Sequence, residues 1–438
     1  MVEEQKTIDQ NLYSRQLGTF GMEAQGKLIK MKVLIHGLRG VGIETAKNLI
    51  LAGPNAVILH DNGLVELHDL ASNFYISEHD VGKRTRADAS LPQLKDLNPY
   101  VNVDAYKGEL TCDYLKQFDV VVFTDFYDIN KLIEFNEMCH SQAKPIGFVL
   151  AGSLGLYGFT FVDYGDSFRV FDRTGEELRS TIVVSITKEE KGIVTVHEDK
   201  KHRFTSGDHV TFTEVQGMEE VNGKTFEITV VSPYTFSIGD TSKFSDYKRE
   251  GVATQVRMPE EMKFRKLEAS LLMPIPQGKH ELDTADYTKS PDQLHVILNG
   301  LFQYHKIHHA LPNLNNEKDA DELVNIVKEV NEKNKKSMDI EGLIKVEAVN
   351  EKLVKNVAYF ARAQISPCAS FWGGIVAQEV VKFTGKFGPL HQWLHYDCLE
   401  SLPEGNVNRT LTNTRYDDVI AIYGRETFDK LQTLKWFF

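Results

Sequence analysis

The run His36-Gly37-Leu38-Arg39-Gly40-Val41-Gly42-Ile43-Glu44 has glycines at the spacing of a phosphate-cradling turn. In such a turn, glycines let backbone N–H groups at a helix N-terminus approach phosphate oxygens closely. Arg39 occupies the middle glycine position of GxGxxG, so its side chain must either leave the pocket or fill it. Arg39 could offer its charge to phosphate, or the loop could survive only for tight strand–helix packing. No Lys or hydroxyl follows at Walker spacing, which favours packing. Asp61 stands where an acidic residue often binds ribose, and equally where a turn would place one. Gly37, Arg39, Gly40, Gly42 and Asp61 together read as a degenerate nucleotide loop.

Other reactive side chains are sparse in pattern. Cys112, Cys139, Cys368 and Cys398 lie far apart with no CxxC spacing, which argues against a zinc site and a disulfide framework. Cys139 and Cys368 sit in apolar surroundings, where a buried thiol is the common fate. His305, His308 and His309 cluster, with 305 and 309 one helical turn apart, but no acidic ligand completes a metal pattern. No catalytic residue and no metal site is expected in the chain.

The elements that hold the loop follow from periodicity. At 438 residues, against roughly 100 to 200 per domain, about three domains are expected. Residues 30–175 alternate short β-branched or aromatic runs (Val33 to Ile35, Val57 to Leu59, Val101 to Val103, Val120 to Phe123, Ile146 to Val149) with helical segments. That rhythm predicts a doubly wound α/β sheet. Residues 181–256 read as antiparallel strands, Lys224 to Val231 among them, bounded by turns such as Asn222-Gly223. Residues 259–364 turn helical. Ser290-Pro291-Asp292-Gln293 has the form of a capping box with Pro at the first position, and Leu343 to Phe360 reads as a further helix. Residues 366–403, with Phe371-Trp372-Gly373-Gly374 entering a helix, return to α/β texture. The β and helical stretches are therefore insertions that split the first domain.

Composition removes several classes of function. Lys+Arg 50 against Asp+Glu 62 gives a net charge of -12, and no concentrated basic run exists to neutralise phosphates, so nucleic acid is not an expected partner. No window approaches 18 uninterrupted apolar residues and the first ten residues are polar and acidic, so neither a membrane span nor a secretory signal is expected. The expected location is cytoplasm or nucleus.

A shift of 403 positions lays residues 21–35 (GMEAQGKLIKMKVLI) over 424–438 (GRETFDKLQTLKWFF). Five of the 15 positions coincide, where average composition would give roughly one, and Tyr13 and Tyr416 match in the same frame. The chain thus reads as the front of a longer two-copy protein, reaching Phe438 on what should be the second copy's opening strand.

LYSRQLGTFG (12–21), HGLRGVGIETAKNLILAG (36–53), GDHVTF (207–212), FWGGIVAQEVVKFTGKFGPLHQW (371–393) and YDCLESLP (396–403) resemble the N-terminal half of the eukaryotic ubiquitin-activating enzyme family, of ThiF/MoeB-like fold. The resemblance covers the whole chain in order. Related activators of other ubiquitin-like modifiers generally lack both insertions, which favours ubiquitin. It implies an inactive adenylation domain (1–175, completed by 365–403), a first catalytic-cysteine half-domain (176–262), a four-helix bundle (263–364), and a linker leading into an active adenylation domain (404–438). The complete enzyme uses MgATP, ubiquitin and a ubiquitin-conjugating enzyme, and none of these four cysteines matches its thioester-forming one. Where active family domains carry a phosphate-handling Arg, this chain has Ser72. The second Lys of their DVGKxK segment is lost after Asp80-Val81-Gly82-Lys83, and their magnesium-binding Asp falls near Tyr127 or Asp128. The resemblance therefore implies a pocket that binds no nucleotide. It leaves one functional residue, Arg15, matching the arginine that reaches across to the partner domain's ATP phosphates. Its counterpart under the 403 shift is Asp418. A naturally short, non-catalytic paralogue that binds ubiquitin or an active partner subunit is the alternative. A dinucleotide-dependent oxidoreductase would need Arg39 to accommodate pyrophosphate.

Overall fold

The computed structural model describes residues 10–11, 13–274, 283–284, 290–336, 342–405 and 407–435. These form two compact units, one of residues 1–168, 262–384 and 389–438 and the other of residues 169–261 and 385–388.

The larger unit opens with helix α1 (Ser14–Leu28), then β1 (Lys32–His36), α2 (Gly40–Ala52) and β2 (Ala56–His60). Helix α3 (Arg86–Asp96) leads to β3 (Asn102–Ala105), and α4 (Cys112–Leu115) to β4 (Val120–Phe123). Helix α5 (Ile129–His140) is followed by the hairpin β5 (Gly147–Leu154) and β6 (Tyr157–Asp163). The sheet order β3-β2-β1-β4-β5 is parallel throughout, and β6 is added antiparallel. β4 and β5 are buried at every residue, the pattern of strands covered on both faces. β1 pairs with β2 on one side and β4 on the other, so the strand order reverses there. The crevice at the carboxyl end of such a reversal is where α/β sheets bind ligands, and the glycine loop follows β1 at that point.

Four helices come next: α6 (Leu267–Leu272), α7 (Pro291–His308), α8 (Glu317–Lys336) and α9 (Glu351–Phe360). Their apolar faces, including Leu298, Leu301, Leu323, Val327 and Val357, join Phe123, Phe148, Phe161 and Trp393 of the sheet in one continuous core. Helix α10 (Ser366–Lys382) then lies against α2. A Cβ on Gly373 would sit 2.4 Å from Glu44 Cβ, so only glycine permits the close crossing. The strand Trp393–Asp397 pairs antiparallel with β6, and α11 (Asp417–Tyr423) and α12 (Arg425–Thr433) finish the described chain. The expected α/β domain interrupted by a β and a helical stretch is what the structure has.

The smaller unit is a seven-stranded antiparallel sheet around Val194, Val210, Phe212, Phe236 and Ala253. Here one expectation needs correction. Lys224 to Val231 is two strands, Thr225–Glu227 and Thr229–Ser232, paired with different neighbours. Between them Ile228 turns into the core and donates its N–H to Asp208 O at 2.9 Å.

The helical region departs from expectation at three places. Residues 343–350 are not helical, because Asn331 and Asn334 of α8 hydrogen-bond the backbone of Val346 and Ile344 and hold that segment extended. Ser290 makes no side-chain cap bond, and Gln293 bonds Ala348 O and Asn350 N instead. Helix α10 starts at Ser366, ahead of Phe371. The Trp436 to Phe438 expectation lies outside the described residues.

Candidate functional site

The loop between β1 and α2 is built as its glycines require. Gly37 has φ +85°, and a Cβ there would lie 2.9 Å from Asp125 Cγ. A Cβ on Gly42 would meet Gly37 O at 1.8 Å, so the turn folds back on its own helix with no room for a side chain. Thr124, at the end of β4, donates its hydroxyl to Gly37 O at 2.9 Å and closes the turn from the other side.

The backbone donors of this turn are committed within the protein. Leu38 N–H donates to Asp61 Oδ2 at 2.8 Å and Gly40 N–H to Gln364 Oε1 at 2.7 Å. Asp61 Oδ1 accepts from Gly63 N at 2.9 Å, so both oxygens of the carboxylate tie down backbone. Asp61 is thus a loop anchor in this structure. The carboxylate and the Gln364 amide occupy donors that a phosphate would need.

Arg39 fills the space beside the loop. Its Nη2 lies 3.3 Å from Glu66 Oε2 and its Nε 3.6 Å from Asp69 Oδ1. Arg86, from the start of α3, completes the network with Nε on Asp69 Oδ2 at 2.6 Å, Nη1 3.6 Å from Asp61 and Nη2 3.6 Å from Glu66. Burial works against the Arg86 charge, but Asp69 and Asp61 outweigh it and raise its pKa. Asp125 stands at the end of β4 with its pKa raised to about 6, chiefly by burial, with Arg39 opposing and Asp61 reinforcing the shift.

Arg39, Glu66, Asp69, Arg86 and Asp125 line a cavity of about 700 Å³, to which Ser153, His305, His309 and Asp418 also contribute. Asp418, from α11, accepts from Gln364 N at 2.9 Å and lies 3.5 Å from His68 Nδ1. The nearby Asp418 carboxylate raises the pKa of His68 against its partial burial.

The residues do not fit MgATP. Two loop amides are spent and two of the cavity's guanidiniums are paired with carboxylates, so the groups that would grip phosphate are already engaged.

Of the residues singled out from sequence, the structure brings Gly37, Arg39, Gly40, Gly42 and Asp61 together. Arg15 is exposed on the first turn of α1 and does not line this cavity. Ser72 is buried beneath the loop, facing Gly40. Asp128 caps α5, accepting from Asn130 N at 2.7 Å, and Tyr127 packs edge-on against His36. Neither lines the cavity, whereas Asp125, earlier in the same loop, does. His308 pairs with Glu322 at 2.8 Å and, unlike His305 and His309, does not line the cavity. Sequence reasoning missed Asp69, Arg86, Asp125 and Gln364. Asp125 had a signal, its position two residues after the strand Val120 to Phe123.

Residues 189–257 match the ubiquitin-activating enzyme E1 FCCH domain model, and residues 258–331 the ubiquitin-activating enzyme E1 four-helix bundle model. The chain is 42% identical over 439 residues to ubiquitin-like modifier-activating enzyme 1 of Oryctolagus cuniculus, and 42% identical over 439 residues to that of Homo sapiens. It is 40% identical over 438 residues to ubiquitin-activating enzyme E1 1 of Arabidopsis thaliana. Each alignment takes in 98% of this chain, and the chain spans about two fifths of the length of these curated relatives. Over nearly its whole length the chain thus matches the N-terminal part of the ubiquitin-activating enzyme E1 family, whose FCCH and four-helix-bundle domains it carries.

Proposed function

We propose that this chain serves as the inactive adenylation half of a ubiquitin-activating enzyme, a scaffold that binds no nucleotide itself and lends Arg15 to an active adenylation half. The complete enzyme would use MgATP to adenylate the C-terminus of ubiquitin, form a thioester on a cysteine outside this chain, and deliver the modifier to a ubiquitin-conjugating enzyme.

One observation carries the reading. The glycine loop survives as a fold element while Asp61 and Gln364 hold its amides and Arg39 is paired with Glu66 and Asp69. A live loop keeps those groups for phosphate. An exposed guanidinium on an N-terminal helix, with no carboxylate pairing it among the described residues, suits a group held for a neighbouring site. The four free thiols suit a reducing compartment, in keeping with cytoplasm and nucleus.

The test is reconstitution. The chain alone should show no ATP–pyrophosphate exchange, and adding a separately made C-terminal half should produce it. Arg15→Ala should lower that exchange by roughly 100- to 1,000-fold, the usual cost of removing one donor to developing charge. Equal rates with and without Arg15 would remove its role. Tight magnesium-dependent ATP binding by the chain alone would remove the assignment as an inactive half.

A further inference from the structure

The pair α11–α12 is a structural copy of α1. Gly21 interrupts α1 with φ 77° and ψ 168°, and Gly424, which separates α11 from α12, has φ 81° and ψ 164°. The 403-residue shift carries Ser14, the first residue of α1, onto Asp417, the first of α11. In that frame Asp418 occupies the place of Arg15, yet the two differ in surroundings as well as in sign. Arg15 is exposed, whereas Asp418 is 3% exposed and lines the degenerate cavity.

The contacts of Asp418 lead into the loop. Its Oδ2 accepts from Gln364 N at 2.9 Å, and the Gln364 side chain accepts from Gly40 N at 2.7 Å. Its Oδ1 lies 3.5 Å from His68 Nδ1. A second tether comes from Arg415, whose guanidinium donates to Leu70 O. The arm that begins the second copy is thus joined to the residues around the first copy's pocket by a carboxylate inside it and a guanidinium beside it. An arginine at 418 would add a cation to a cavity already lined by Arg39, Arg86 and Arg362, and would leave Gln364 N–H without its acceptor.

We propose that Asp418 is a positioning residue, a latch that seats the second copy's arm in the spent pocket and so fixes the register in which Arg15 meets the active half. The inference rests on the reading of the chain as an inactive adenylation half. It gives the pocket a present use, as a socket for the chain's own carboxylate in place of a nucleotide.

Hydrogen–deuterium exchange on the full chain tests the latch, with Asp418→Ala and Asp418→Asn compared against the unaltered protein. Alanine should speed exchange in residues 361–366 and 414–424 by roughly ten- to a hundredfold, the range for losing a hydrogen bond to a charged group. Residues 180–256 should be unchanged. Asparagine, close in volume and able to offer an oxygen to Gln364 N, should recover protection at 361–366, which keeps the comparison available should the alanine variant fold poorly. Unchanged exchange in both segments overturns the latch. With a C-terminal half added, Asp418→Ala should lower the kcat of ATP–pyrophosphate exchange and have little further effect on top of Arg15→Ala, because both act through one guanidinium. A rate equal to that of the unaltered protein overturns the positioning role. Absence of exchange from the unaltered mixture counts against the enzyme reading, and the deuterium result still decides the latch.

Discussion

Arg86 Nε and Asp69 Oδ2 lie 2.6 Å apart, with only 8% and 3% of their side chains exposed. The same Asp69 oxygen accepts from Glu66 N at 2.8 Å, so one carboxylate fixes both a guanidinium and a backbone turn. Removing one partner of a buried pair leaves an uncompensated charge, which costs about 3–5 kcal/mol. Arg86 keeps Asp61 and Glu66 at 3.6 Å, so Asp69→Ala should destabilise the larger unit by about 3 kcal/mol, the low end of that range, in urea unfolding. A loss under about 1 kcal/mol would mean that the pair behaves as an exposed one.

Restoring the missing glycine should not restore a nucleotide site. In Arg39→Gly the GxGxxG spacing is complete, but Leu38 and Gly40 N–H remain bonded to Asp61 and Gln364. The change also removes the cation that opposes the upward shift of Asp125. Equilibrium dialysis with MgATP should give no more retention than for the parent protein. Saturable binding by this single variant would show that Arg39 alone closes the pocket.

Two glycines of packed helices should respond to alanine in opposite ways. At Gly42 the new methyl would meet the Gly37 carbonyl, a backbone atom that cannot swing aside, so Gly42→Ala should cost several kcal/mol or prevent folding. At Gly374, inside α10, a Cβ would meet nothing within 4 Å. Gly374→Ala should raise stability by up to about 1 kcal/mol through helix propensity. Thermal unfolding compares the two directly, and a destabilised Gly374 variant would contradict the open space seen here.

A buried chain of neutral rings should make the protein acid-sensitive. His295 Nδ1 lies 3.0 Å from His395 Nε2, His395 Nδ1 lies 3.0 Å from Tyr157 Oη, and His295 Nε2 lies 2.9 Å from Leu271 O. Burial lowers His295 to about 4, against the opposing effect of Leu271, and burial with His295 lowers His395 well below its ordinary value. The unfolded chain therefore takes up these protons first as pH falls below 6.5. Stability from both rings is complete above that pH; the His295 share is lost between 6.5 and about 4, and the His395 share is lost as pH falls from 6.5 toward its own lowered pKa. The loss should be about 1.4 kcal/mol per pH unit for each ring. The urea midpoint should fall between pH 7 and pH 5, and less so in His295→Gln. Equal slopes in the two proteins would contradict the assignment.

Elements set by local pattern were legible in the sequence. The parallel strands announced themselves as β-branched runs, and the repeat at 403 is visible in the matching dihedrals of Gly21 and Gly424. What was not legible is decided by partners distant along the chain. Gln364 reaches Gly40, Asn331 reaches Val346, and Arg86 reaches Asp69, and none of these side chains carries a local sign of its contact. The place of Asp61 after the second strand suits a ribose ligand and a turn residue equally. Only the position of Leu38 N–H shows that its carboxylate stands where an anion would be held.

The antiparallel pairing of Trp393 with Phe161 has a consequence for how the molecule is made. The outer edge of β6 leaves the ribosome long before the strand that covers it. At roughly 5–20 residues per second, that edge stays open for on the order of ten seconds or more. Throughout that time it presents unpaired backbone of the kind that recruits other chains or chaperones. Both intervening segments emerge first, so nascent molecules hold all seven strands of the smaller unit's sheet while their founding sheet still waits for its last strand.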